Sequence, residues 1–359
     1  MKSKLKVAAI AVAMASPAMA ANFVNMENPL YQPRTNEVYS KTAVGYMIKK
    51  TDDTEAQQAW DHANTWESPI WRIYQDLGYG ITDRLAVYGQ VGYTNNPGQD
   101  RAGLHAGRIG VNYRALADES NLVWDVYADA HLGGLSKMTG TFHGPVTMGM
   151  NGFKYDGYGT GQYGMYVGTR IGHTWDALTA AAYLEFGHMF RNDNTEITLE
   201  LPGMLAGAAA AYFPDGIKGK AVADLYGFTD WVVGAKALYQ VDDTWSIGMG
   251  VARKHHAQHV VKTGKATVTN AVAPGPVPPF PPAETVNAQV AQGIANMFSG
   301  ITFGDSFTEY PIQLLIANQL TENVQVTLYG EYTFDKGDYG SQNTTDFKLE
   351  TGVRLNVWF

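Results

Sequence analysis

Histidines, carboxylates and basic side chains are the residues of this 359-residue chain with the means to do chemistry, and the densest imidazole cluster is His255-His256-x-x-His259. Histidine is the commonest metal ligand. In an extended segment, however, neighbours point to opposite sides, and no carboxylate follows at useful spacing, so a solvated loop is expected and a metal site is not. Asp52, Asp53, Asp61 and His62 gather acids beside an imidazole without forming a motif. His105 has no serine nearby to serve as a nucleophile. Gly159-Thr160-Gly161-x-x-Gly164 has the spacing of a phosphate loop but leads into a strand-like run rather than a helix. No cofactor is implied, and an enzyme is not expected. What remains is a set of charged residues recurring at every second position of apolar runs.

Such recurrence needs strands to position it. Runs of period-two alternation cover residues 39–49, 70–79, 85–93, 104–114, 123–132, 163–172, 178–190, 230–240, 245–253, 309–318, 324–334 and 346–359. In the fifth, Trp124, Val126, Ala128 and Ala130 alternate with Asp125, Tyr127, Asp129 and His131. The connections 80–84, 115–122, 173–177, 241–244 and 319–323 are short. Those on the other side, 50–67, 94–103, 133–160, 191–227 and 254–307, are mostly long, and 335–342 is intermediate.

The chain opens with Lys2, Lys4 and Lys6, an apolar run from Val7 to Met14 and Ala18-Met19-Ala20, the layout of a secretory signal peptide over residues 1–20. Its removal takes three lysines and leaves 23 basic against 34 acidic side chains, a net charge of about −11, which argues against nucleic acid as a partner. With no cysteine, disulfides and thiolate chemistry are excluded. No later segment has an apolar run long enough for a membrane helix. The 39 Gly, 21 Tyr and 8 Trp suit short turns and interfacial girdles, and a mean hydropathy of −0.21 is compatible with an alternating wall. Residues 21–36, with Pro29 and Pro33, lack alternation and are expected to form a lead-in to the first strand.

The last stretch, DFKLETGVRLNVWF, sets Phe347, Leu349, Thr351, Val353, Leu355, Val357 and Phe359 on one face. It resembles the closing strand of bacterial outer-membrane β-barrels. That resemblance implies Sec export, an outer-membrane location with lipid and lipopolysaccharide around the wall, and recognition of Val353, Leu355, Val357 and Phe359 by the barrel-assembly machinery. The expected fold is all-β: an antiparallel transmembrane barrel of about twelve strands over residues 37–359, with short periplasmic turns and long outer loops. Similarity to outer-membrane aspartyl-type proteases is one of residue type alone, and an autotransporter would need a passenger or a pore-threading helix that residues 21–36 do not offer.

If the apolar faces meet lipid, Lys41, Lys49, Arg72, Asp76, Arg108, Asp125, Asp129, Arg170, Glu185, Asp230, Lys236, Glu331, Lys348, Glu350 and Arg354 point inward. Two functions fit this arrangement. One is a porin-like channel passing small hydrophilic solutes between charged walls. The other is a closed barrel, its charges paired, whose outer loops bind a partner. Residues 199–216 and 284–298 are too apolar for free loops, and the barrel mouth is their expected resting place.

Overall fold

The computed structural model describes residues 25–51, 70–96, 101–117, 121–133, 138–142, 153–156, 162–201, 212–213, 217–257, 259–271, 281–298, 302–303, 306–336 and 345–359. The signal sequence and the loop bearing Asp52, Asp53, Asp61 and His62 lie outside them, as do the side chains of Lys49, His105 and His259 and most of the Gly159–Gly164 motif. Twelve strands form one closed barrel: β1 (Val38–Thr51), β2 (Ile70–Thr82), β3 (Leu85–Asn96), β4 (Arg101–Ala117), β5 (Leu122–His131), β6 (Gly164–Trp175), β7 (Leu178–Met189), β8 (Phe228–Gln240), β9 (Trp245–His256), β10 (Phe307–Thr321), β11 (Val324–Lys336) and β12 (Thr345–Trp358). Each pairs antiparallel with the next. β12 pairs with β1 from Tyr39↔Trp358 to Lys49↔Lys348, so the sheet has no free edge and its backbone groups are satisfied without water.

The alternation read from sequence sorts the two faces. Ile73, Leu77, Ile109, Val167, Ile247, Leu314, Leu328 and Val353 are exposed on the outer wall and form an apolar band there. Tyr113, Trp175, Trp245 and Phe359 ring the short-turn end, and Trp71, Tyr163 and Phe190 ring the other. Gln75 interrupts the apolar face but is bonded there: Thr42 Oγ1 donates to its Oε1 at 2.6 Å, and its Nε2 donates to Ser40 Oγ and to the Asp76 carbonyl, each at 3.0 Å.

On the inner wall, tyrosines lie flat over glycines of the adjacent strand. Tyr39 faces Gly78, Tyr88 faces Gly110 and Tyr127 faces Gly168 in direct cross-strand register. A Cβ at Gly78 would come within 2.1 Å of the Tyr39 ring, and one at Gly168 within 2.3 Å of Tyr127. Gly168→Val is therefore expected to lift Tyr127 off the wall and destabilise the barrel by about 1–3 kcal/mol in urea unfolding from detergent. Gly330→Ala, whose nearest neighbour would be 3.9 Å away, should leave the midpoint unchanged.

The long-connection end holds more order than the sequence reading expected. The spans read as connections at 191–227 and 254–307 contain strands Asn192–Leu201, Ile217–Leu225 and His259–Val268, which pair in that order, and the Gly-rich span contains Met138–Phe142 paired with Phe153–Asp156. β3 and β4 run on to Asn96 and Arg101, so their connection is short. A helix, α1 (Ala283–Phe298), lies on this outer sheet. Tyr212, Phe213, Ile217, Val268 and Val286 form its core, with Val290 and Ala291 against them. Tyr212 and Phe213 of the first apolar segment and Val286 and Val290 of the second thus pack on each other and the outer sheet, because pairing apolar faces removes both from water; residues 202–211 and 214–216 lie outside the described residues.

Candidate translocation path

Residues 25–35 enter the lumen at the short-turn end and are held there as a plug. Two tight turns compact the segment: the Asn25 carbonyl accepts from Asn28 N, the Asn28 carbonyl from Tyr31 N, and the Asn25 and Asn28 side chains accept from Glu27 N and Leu30 N. Its contacts reach round the wall. Asn25 bonds Gln240 on β8, Ser246 on β9 and Gln325 on β11 at 2.9–3.2 Å. Gln32 Oε1 accepts from Asn112 at 2.8 Å and the Leu30 carbonyl from Arg114 Nη2 at 2.6 Å, both on β4. Thr35 donates through its backbone and hydroxyl to Asp83 in the β2–β3 turn. Beneath the plug, Ser246, Gln325, Thr327 and Asn356 are at most 1% exposed, a polar wall from which solvent is excluded.

Glu27 is the plug's charged anchor. Its carboxylate accepts from Arg354 Nη1 at 2.9 Å and Asn356 Nδ2 at 3.0 Å, with Lys41 Nζ at 3.9 Å. Burial alone would raise its pKa, but Lys41, Arg354 and the hydrogen bonds outweigh burial and hold it at about 2.

Beside and above the plug the lumen is lined by paired charges. Asp125, its side chain fully buried, lies between Arg114, whose Nε donates at 2.9 Å, and Arg170. Arg72 on β2 reaches Glu350 on β12 at 3.1 Å across Gly45 of β1, where a Cβ would collide with Glu350. That contact relieves the like-charge pair Glu331↔Glu350, and Tyr329 also donates to Glu350 at 3.0 Å. Arg108 Nη1 stands 4.0 Å from Asp129, while Asp76 and Glu185 line a cavity beside it. Lys236 faces inward over the Tyr183 ring at 5.8 Å and is nonetheless exposed, so the lumen at its level admits solvent. Lys348 pairs with Glu309 near the other end. Val353, Leu355 and Val357 lie on the outer face, and Phe359 exchanges backbone bonds with Val38 at 2.9 and 3.1 Å.

His256 corrects the expectation of a solvated histidine loop. It is an inward residue of β9, with Nδ1 3.4 Å from Asp230 and Nε2 3.4 Å from Glu309, while His255 stacks on Trp231 at 5.5 Å. Both ring nitrogens of His256 face carboxylates, so it is a partnered residue of the inner wall. Among the described residues no group of three His, Cys, Asp or Glu could hold a metal ion. Arg114 and Glu309 join the lumen by strand parity with Arg108 and Gln313, a signal present in the sequence. Glu27 carries no such signal.

These features define a bacterial outer-membrane type of β-barrel, closed by twelve strands and plugged from within. An outer-membrane channel from Pseudomonas putida F1 is similar at 10% identity over 94% of this chain and 100% of that one, with a TM-score of 0.51. The monoaromatic hydrocarbon channel CymD (8% identity, 91% and 90% covered, TM-score 0.43) and the translocator domain of the autotransporter NalP from Neisseria meningitidis (9%, 91% and 90%, 0.42) lie further off. No family model and no curated protein matches the chain.

Proposed function

We propose that the protein is an outer-membrane channel for small hydrophilic solutes whose periplasmic mouth is closed by its own residues 25–35. The observation that carries this reading is the chemistry of the plug's seat. It is held by side-chain hydrogen bonds and one buried ion-pair cluster to residues spread round the wall, contacts that water can replace when the segment leaves. The inward charges then set the field along an aqueous path, and transport rather than catalysis is its role. The fold likeness is to an outer-membrane channel, and in this reading the short turns face the periplasm and the chain arrives by Sec export and the assembly machinery.

Planar-bilayer recording of the refolded full chain tests the proposal: brief openings from a mostly closed level are expected. A barrel silent at every salt concentration would favour the second reading, a closed barrel whose outer sheet and α1 bind a partner.

Acid provides a further check. A carboxylate with a depressed pKa contributes stability that is full above its unfolded value and lost as pH falls through its folded value. The plug should therefore stay seated down to about pH 4.5 and loosen between there and about pH 2. In a Glu27→Gln variant that step in open probability should disappear.

A further inference from the structure

Next to the plug, and on β4 further from the short turns than the plug's contacts there, the inner wall lines a cavity of about 220 Å³. That is below the range of about 300–1,000 Å³ common for drug-sized ligands, and so is sized for a small one. Asp76, Asp129 and Glu185 line it, with Tyr39, Tyr88 and Tyr127 between them. Three carboxylates here meet a single lining cation, Arg108. Its Nη1 stands 4.0 Å from Asp129 Oδ1, beyond hydrogen-bond length, and its guanidinium lies over the Tyr166 ring at 4.5 Å. Neighbouring side chains satisfy part of the acceptor capacity: Tyr88 donates to Asp129 Oδ2 at 3.2 Å, Tyr127 bonds Glu185, and Gln90 bonds Asp76.

Two acceptors remain. Asp129 is 5% exposed, and its Oδ1 has no hydrogen-bond partner; Asp76 Oδ1 is likewise buried without one. A buried acceptor left unmade is costly, and more so when charged. The tyrosines add a second preference. Their rings lie over Gly78, Gly110 and Gly168 and bring aromatic surface to the cavity, with Tyr39 also meeting Tyr31 of the plug edge to face at 5.9 Å. Carboxylate oxygens lacking donors beside aromatic surface match a group that brings several N–H donors and a positive charge.

We propose that this cavity is a binding subsite for a small primary alkylammonium ion, with the ammonium among Asp76, Asp129 and Glu185 and the alkyl part against the tyrosine rings. The proposal rests on the channel reading for the route by which the ion arrives.

Calorimetric titration of the refolded full chain in detergent, with n-butylammonium chloride as the probe at fixed ionic strength, tests it. Saturable one-to-one binding is expected, with none for the neutral isostere butan-1-ol and no matching competition from potassium. Asp129→Asn should weaken binding about tenfold or more, the loss of a charge-assisted bond. Glu185→Gln should weaken it as well, and Glu322→Gln in the exposed β10–β11 turn should not. Failure of butylammonium to saturate, equal competition by potassium, or unchanged affinity in both cavity variants would overturn the subsite. Because binding is read at equilibrium, a barrel that conducts but does not bind would lose the subsite alone, and one that binds but stays silent would lose the channel alone.

Discussion

Replacing Glu27 with alanine is expected to convert a mostly closed barrel into one that stands open. The side chain is 4% exposed, and its carboxylate is the group on which Arg354, Asn356 and Lys41 converge. Removing one partner of a buried ion pair costs about 3–5 kcal/mol because the other charge is left behind. Here the lower end applies, since Arg354 also stacks on Tyr329 at 4.3 Å and gains water once the plug departs. At about 1.4 kcal/mol per tenfold, the closed-to-open ratio should fall by about two orders of magnitude, read as dwell times in single-channel records. Glu27→Gln keeps the Asn356 bond and should fall between. An unchanged closed fraction in Glu27→Ala would remove the plug from the gating account.

Asp125→Ala should have the largest effect on stability. Its carboxylate is wholly buried between Arg114 and Arg170, on the strands to either side. Alanine there would leave two guanidinium groups facing each other with nothing between, and a loss of about 3–5 kcal/mol is expected in urea unfolding from detergent. Asp125→Asn, which keeps acceptor capacity for one arginine, should lose less. The effect should also reach the plug, because Arg114 holds the Leu30 carbonyl at 2.6 Å. Asp125→Ala is thus expected to lower the unfolding midpoint and raise the open fraction together, whereas Glu27→Ala changes the second alone. An unaltered midpoint would mean that water reaches Asp125.

The contrast between these two residues also marks how far the sequence could be read. Asp125 sits in Trp124–His131, where every second residue is apolar, and one face in lipid with the other in the lumen is the arrangement that such a period supports. The same parity places Arg72, Arg170, Lys348 and Arg354 inward, and it extends to Arg114, Glu309 and His256 once each strand is followed to its end. Glu27 lies in a segment with two prolines and no period, and its hydrogen-bonding partners, Arg354 and Asn356, are more than 300 residues away along the chain. Nothing local encodes that contact; it exists only after the cylinder closes. The outer strands fall between these cases. Thr195, Ile197, Leu199 and Leu201 alternate with Glu196, Thr198 and Glu200, a strand signal in a stretch whose length alone suggested a loop. The cavity was unreadable because the six strands around it, β1, β2, β3, β4, β5 and β7, each contribute a charged residue or a tyrosine.

The position of the Glu27 anchor carries a consequence for the order of folding. Arg354 and Asn356 belong to the last strand and Lys41 to the first, and these two strands form the pair that closes the cylinder. Until that final pairing is made, the anchor has only half of its receptor. Seating of the plug is therefore a late event, and a barrel still unzipped along that line is also one whose mouth is unsealed. Trapping the β1–β12 junction open during refolding, and asking when residues 25–35 become protected from protease, would place the two events in time.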